Sequence, residues 1–412
     1  MAVTGSFDYN STVTEIVDDA LEYCGLRDRT QTTPADIMQT CIKTLNYMIK
    51  FWQARDIGLW LIDDITLFLQ PSTASYDIYA GGAYATTSFV KTEVATAGSA
   101  TDTSVVVDSV TGFGDTFDRD AIITAVTPTG SGSITLDGTL VASNIATLTS
   151  ERKILIYSDG DDSGVTFSIN GKNSLGVVVQ ETITGPNTTT VYSTYEYSKI
   201  TSISISGAGT GNIEIGQVGD HVGIELDDGT IQWTNITGSP AATLNIVDAL
   251  TDDVNVDANV YTFEKRAEKP LEIREARLYQ DSGTEYPINV KSRDEYKRLS
   301  NKTSSGKTVE LYQDARIDRM TVYTWPLGDS VKDYIKMSAR RRIDDIDGLT
   351  NNVSFPQEWL LALSTNLAFW IGPKFSISSE KISMLKTLAD ETVKTLMMFD
   401  QETTPFYIEP RR

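Results

Sequence analysis

Residues 33–55 read TPADIMQTCIKTLNYMIKFWQAR, and residues 59–69 read LWLIDDITLFL. Thr33 stands where a helix N-cap would, Pro34 suits the first helical position, and Asp36 falls in the first turn. From there Ile37, Met38, Cys41, Ile42, Leu45, Met48, Ile49 and Trp52 recur at three- and four-residue steps. That spacing predicts one apolar stripe along about six helical turns. Gly58 breaks the pattern, and Leu59-Trp60-Leu61-Ile62 predicts the start of a buried strand reaching Leu69. A long helix ending in a Trp and turning into an aromatic strand predicts the base of a larger body.

Outward from this stretch, Thr12 and Glu15 have capping-box spacing. Ile16, Val17, Ala20, Leu21 and Cys24 make a stripe over 13–24, and Gly25 fits the residue after the helix. Pro71-Ser72-Thr73 predicts a turn, with Tyr76-Asp77-Ile78-Tyr79 as the antiparallel return of the 59–69 strand. After Gly81-Gly82 the helical period vanishes. Short runs such as Ser104-Val105-Val106-Val107, Ile122-Ile123-Thr124-Ala125 and Ile154-Leu155-Ile156-Tyr157 alternate with turn signals such as Asn170-Gly171, which predicts sandwich or barrel modules. Beyond Lys269-Pro270 the pattern predicts strands at 271–279, 285–290, 309–312, 320–323 and 333–337. Ser292 caps a short helix among them. Trp359, Leu360, Leu363, Leu367, Trp370 and Ile371 stripe one closing helix, and Ile382, Leu385, Leu388, Ala389, Val393, Leu396 and Met397 stripe another.

These elements predict an α+β fold: a helical base with small antiparallel strands from both chain ends, interrupted by a large all-β, sandwich-like insertion. The base takes residues 1–80 and 266–400, with Leu45, Ile49, Trp52, Trp359, Leu363, Leu367 and Trp370 as its helical packing. A first β module takes 81–120 and 219–265, and a second, nested sandwich takes 121–218. A single larger β domain is the alternative to nesting. Residues 401–412 predict an extended arm, because Pro405 and Pro410 interrupt a stretch with no period.

The length of 412 residues suits two or three domains. No apolar run reaches the ~18 residues of a membrane span, so no membrane anchoring is expected, and residues 1–10 lack the basic and apolar regions of a secretory signal. Cys24 and Cys41 are the only cysteines and fall on helical stripes, which predicts buried free thiols and a reducing cytoplasm. The net charge is −21, of which residues 91–265 carry −16 from 23 acidic and 7 basic residues. An acidic chain argues against gripping nucleic acid through phosphates, though not against a surface past which DNA slides without sticking.

No catalytic, cofactor or metal residue is singled out. His221 is the only histidine, so no imidazole relay or histidine metal site can be built within one chain, and it is expected at the surface or in a loop. Asp159, Asp161 and Asp162 lack the spacing and closing Glu of a calcium loop and predict a solvated turn. No phosphate-binding or dinucleotide fingerprint occurs. Of the cluster Arg340-Arg341-Arg342, strand alternation lets Arg340 and Arg342 share a face, for inter-subunit ion pairs or for DNA in a channel. On the terminal arm, Pro405, Phe406, Tyr407, Ile408, Arg411 and Arg412 predict docking to a partner, since exposed apolar residues call for a cover.

Several segments together resemble the head-to-tail adaptor family of short-tailed phages, the tail accessory or packaged-DNA stabilisation proteins. They are Thr14-Glu15-Ile16 with Ala20-Leu21, and Leu45-Asn46-Tyr47-Met48-Ile49 with Trp52. Ser292-Arg293-Asp294-Glu295-Tyr296, Tyr323-Thr324-Trp325-Pro326 and Phe355-Pro356-Gln357-Glu358-Trp359 follow in the same order. Within the middle, 106–112, 158–167 and 223–233 resemble β modules of phage structural proteins. The resemblance implies a non-enzymatic virion protein, assembled in the host cytoplasm and placed at the head–tail interface. It implies a homo-oligomeric ring of about twelve copies beneath the portal protein, extending the DNA channel and retaining packaged DNA until ejection. Tail nozzle or fibre proteins would attach to it, and residues 401–412 would reach the portal. A lytic enzyme with β binding modules and a tail fibre or receptor-binding protein are the rival classes.

Overall fold

A computed structural model describes residues 9–28, 30, 32–55, 59–346, 348–349 and 352–399. Gly58, Asp347 and the 401–412 arm lie outside the described residues. The chain forms two compact units, residues 1–62 with 342–412, and residues 63–341.

The expected fold class is overturned. The chain is mostly β, with 38% strand and 20% helix, and the described residues hold 24 strands and five α-helices. It is not a helical base carrying a nested insertion. The strands expected as small adjuncts of helices instead pair among themselves into a sheet of eight, which groups with the other β structure in the 63–341 unit. Their alternating sequences supply apolar residues, among them Leu67, Ile78, Ile273, Leu311, Val322 and Ile335, that gather in one core.

The helical unit contains α1 (Val13–Cys24), α2 (Ala35–Gln53), α4 (Leu360–Ile371) and α5 (Ser379–Phe399). Thr12 and Glu15 close the capping box of α1, and Gly25 ends it with a left-handed φ of 70°. Thr33 does not cap α2. Its hydroxyl donates to Asp18 Oδ1 at 2.7 Å, and Pro34 occupies the cap position. The stripe of α2 is buried from Met38 to Trp52, against Val17, Leu21, Trp359, Leu363 and Leu367, in one core. Leu59–Leu61 is a turn of 3-10 helix, so the strand begins only at Ile62 and runs to Phe68.

In the other unit, the eight-stranded sheet combines Ile62–Phe68, Ser75–Ile78 and Ala85–Thr86 with five strands between 272 and 340. Ser75–Ile78 is not the return of the first strand; it pairs with residues 320–323, Tyr76 facing Val322. One connection is parallel, Glu285–Lys291 beside Glu310–Ala315, and the short helix α3 (Arg293–Arg298) lies in its crossover. Residues 118–217 form a four-stranded and a six-stranded sheet. These close on one apolar core of Ile122, Ile154, Ile215, Phe167, Ile169 and Ile203. A further six-stranded sheet joins Val90–Thr96 and Ser104–Val107 to strands between 221 and 263. Phe68 touches that sheet, its ring centroid 5.1 Å from Trp233 and 4.8 Å from Tyr261. Among the described residues no helix is long and apolar enough to cross a membrane.

Candidate functional site

A buried polar cluster surrounds Arg152, the last residue of the strand Ile145–Arg152. Its guanidinium is fully buried and donates to the carbonyls of Val218, Gly219 and Glu264 at 3.1, 3.1 and 2.7 Å. It also donates to the hydroxyls of Thr116 and Ser150. Thr116 and Val218 flank the first and last strands of the 118–217 sandwich, so one side chain ties both chain crossings to residue 264. Desolvation pulls the Arg152 pKa down to about 10, with Asp220 and Glu264 acting against it. Arg266, also buried, forms a two-point pair with Glu196 at 2.7 and 2.9 Å and lies 4.5 Å from the Tyr84 ring centroid.

His221 belongs to this cluster, contrary to the expected surface or loop position. It is 1% exposed on the strand His221–Glu225. Burial, then the Arg266 and Arg152 charges, hold its pKa well below the ordinary histidine value. Asn235 Nδ2 donates to the Gly219 carbonyl and lies 3.2 Å from His221 Nδ1. That contact assigns the lone pair to Nδ1 and the proton to Nε2, which sits 3.2 Å from Ser150 Oγ. The Ser150 hydroxyl donates a hydrogen bond to the Glu264 carbonyl. A nucleophilic serine must give its proton to the imidazole; here the imidazole donates instead. The Ser150–His221 pair is therefore a hydrogen-bonded joint.

The aspartates of the turn expected near 159–162 are occupied. Asp162, 1% exposed, accepts from Ser158 Oγ and the Thr210 and Gly211 amides. Asp159 accepts from the amide and side chain of Asn212, so this turn closes on protein donors and Asp162 is a buried part of it. Among the described residues no group of three or more His, Cys, Asp or Glu could hold a metal. A cleft of ≈ 370 Å³ opens at one end of the sandwich between Ile123, Ile134 and Ile205. Its one carboxylate, Asp137, is held by the Thr124 amide and hydroxyl.

Of the other residues singled out in the sequence, Leu45, Ile49, Trp52, Trp359, Leu363 and Leu367 meet in the helical core. Trp370 is half-buried, with Phe51 at 5.6 Å between ring centroids. Arg340 is buried at 7% exposure, in register with Glu272, and its strand ends there. Strand alternation therefore does not carry on to the half-buried Arg342. Arg341 between them meets Asp63 at 3.4 Å. Pro405, Phe406, Tyr407, Ile408, Arg411 and Arg412 lie outside the described residues.

Sequence spacing did not reveal the open groove between α4 and α5. It has a volume of ≈ 350 Å³ and is lined by Glu358, Leu361, Ala362, Leu388, Glu391 and Leu396. Leu361 is 54% exposed, and Met384, one turn before Leu388, is 69% exposed. No family model and no curated protein matches the chain.

Proposed function

We propose that the protein is a structural virion component, a head-to-tail connector ring below the portal. In this reading the ring extends the DNA channel, retains packaged DNA and supports the tail nozzle or fibres. The proposal rests on the sequence resemblance, and one observation supports it physically: α5 is 21 residues long, yet of its described side chains only Leu385 and Ala389 are buried. Met384, Met397 and Met398 are exposed on it. A helix this long with so little cover is expected where a neighbouring subunit packs.

The test is native mass measurement of the full chain, followed by co-sedimentation with purified portal. A closed assembly of about twelve copies that binds portal, and loses that binding when residues 401–412 are removed, is the expected result. A monomer at every concentration, a trimer, or cleavage of cell-wall glycan on a zymogram would overturn the reading.

A further inference from the structure

Two faces of the helical unit carry unlike chemistry. On α2 and the residues just after it, Lys43, Tyr47, Phe51 and Arg55 recur at four-residue steps, and all four are exposed. Such steps keep side chains on one helix face. Lys43 Nζ lies 5.9 Å from the Tyr47 ring centroid, and the Arg55 guanidinium lies 4.4 Å from that of Phe51. Neither cation pairs with a carboxylate among the described residues. The stripe is thus basic and aromatic. The α4/α5 groove is the converse: its lining contains two glutamates, Glu358 and Glu391, apolar Leu361, Leu388 and Leu396, and no cation.

The two faces lie on opposite sides of α4. Leu361 and Trp370 are nine residues apart on that helix, and at about 100° per residue they project half a turn apart. Leu361 lines the groove, whereas Trp370 rests on Phe51 of the stripe. A two-fold contact of the stripe with itself would set Lys43 and Arg55 against their own copies, and the groove with itself would oppose its glutamates. A head-to-tail contact sets cation against carboxylate and aromatic ring against leucine. Complementary patches on opposite sides generate rings or filaments.

We propose that the α2 stripe of one copy seats in the α4/α5 groove of the next, Lys43 and Arg55 facing Glu358 and Glu391 while Tyr47 and Phe51 cover Leu361 and Leu388. The joint rests on the ring reading above and gives it a named interface.

The experiment compares full-length wild type with three variants by mass photometry over a concentration series. They are Lys43→Glu with Arg55→Glu, Glu358→Lys with Glu391→Arg, and the combination of all four. Each two-site variant sets like charges together and is expected to raise the half-assembly concentration on the order of tenfold or more. The four-site variant restores opposite charges and is expected to return within a few-fold of wild type. A further chain carrying Tyr47→Cys and Leu361→Cys is expected to give a disulfide-linked ladder on a non-reducing gel, undisturbed by the buried Cys24 and Cys41. A wild type that stays monomeric overturns both the ring and the joint. A wild type that assembles, with two-site variants like it or unrescued by the four-site variant and with no ladder, overturns the joint and leaves the ring standing.

Discussion

The indole of Trp52, at the end of α2, meets that of Trp359, just before α4, edge-on at 5.8 Å between ring centroids. Trp60 approaches the same ring at 5.0 Å, and Trp359 itself is 2% exposed. The helical unit is thereby closed between segments from the two ends of the chain. Trp359→Ala is expected to destabilise it by about 3–5 kcal/mol, through lost transfer energy and the cavity left behind. That is a large part of ordinary domain stability. Trp359→Phe retains a ring and is expected to lose less than half as much. Urea unfolding followed by far-ultraviolet circular dichroism reads the difference, and an alanine variant within about 1 kcal/mol of wild type would contradict the assignment.

Arg152 holds Thr116, Val218, Gly219 and Glu264 together, and none of these four can recruit water easily at a fully buried guanidinium. Arg152→Met keeps much of the volume but strands the Val218 carbonyl and leaves the Gly219 and Glu264 carbonyls to Asn235 and Ser150 alone. It also removes a cation beside Asp220 and Glu264, so the expected cost is about 3 kcal/mol. Arg152→Lys restores the charge without the planar fork, so it is expected to recover only a minor share. Thermal unfolding of the two variants beside wild type is the measurement. If Arg152→Met melts with wild type, the cluster contributes nothing to stability.

Where the sequence was readable, the cue was local. Thr12 with Glu15, Gly25 after Cys24, and the run from Met38 to Trp52 each specify their own geometry without reference to a partner. Strand pairing is not local. Alternation says that Tyr76 and Ile78 share a face, but nothing near them names Met320 and Val322 as neighbours. For that reason the sequence alone divides the eight-stranded sheet into small adjuncts of helices and predicts α+β. Single residues fared worst. His221 has no spacing pattern to read, and Arg152 sits between Glu151 and Lys153, where a charged triplet looks like solvated surface. In α4 the stripe of Leu360, Leu363, Leu367 and Ile371 leaves Leu361 off the buried face, but no spacing shows that Ser364, Thr365 and Asn366 are buried while Leu361 is exposed.

The two thiols offer a simple probe of the helical core. Cys24 and Cys41 are 4% and 0% exposed, and burial pushes each pKa up to about 11. Both burial and the scarcity of thiolate slow attack on a disulfide reagent. Native protein at pH 8 is therefore expected to react with dithionitrobenzoate at well under a tenth of the rate of a free thiol, and both cysteines are expected to react promptly in strong urea. Rapid modification of either in the native state would show that the α1–α2 core opens.

His221 imposes a pH dependence whose sign follows from its surroundings. In the folded chain, burial and then the Arg266 and Arg152 charges keep the imidazole neutral well below its ordinary range. The unfolded chain takes up a proton near pH 6.5. Below that pH the unfolded state binds more protons than the native state, so stability falls as the solution is acidified. One such group gives up to about 1.4 kcal/mol per pH unit, or roughly 2 kcal/mol between pH 6.5 and 5, and nothing above pH 7.5. Asp220 in the same cluster is shifted upward, by desolvation first, and opposes this trend nearer the carboxylate range. His221→Gln is expected to be less stable at pH 7.5 but to lose the slope between pH 6.5 and 5. Urea midpoints at pH 7.5, 6.5 and 5 measure both quantities. An unchanged slope in the variant would assign the acid sensitivity to other groups and the imidazole to a site that can be protonated in the folded chain.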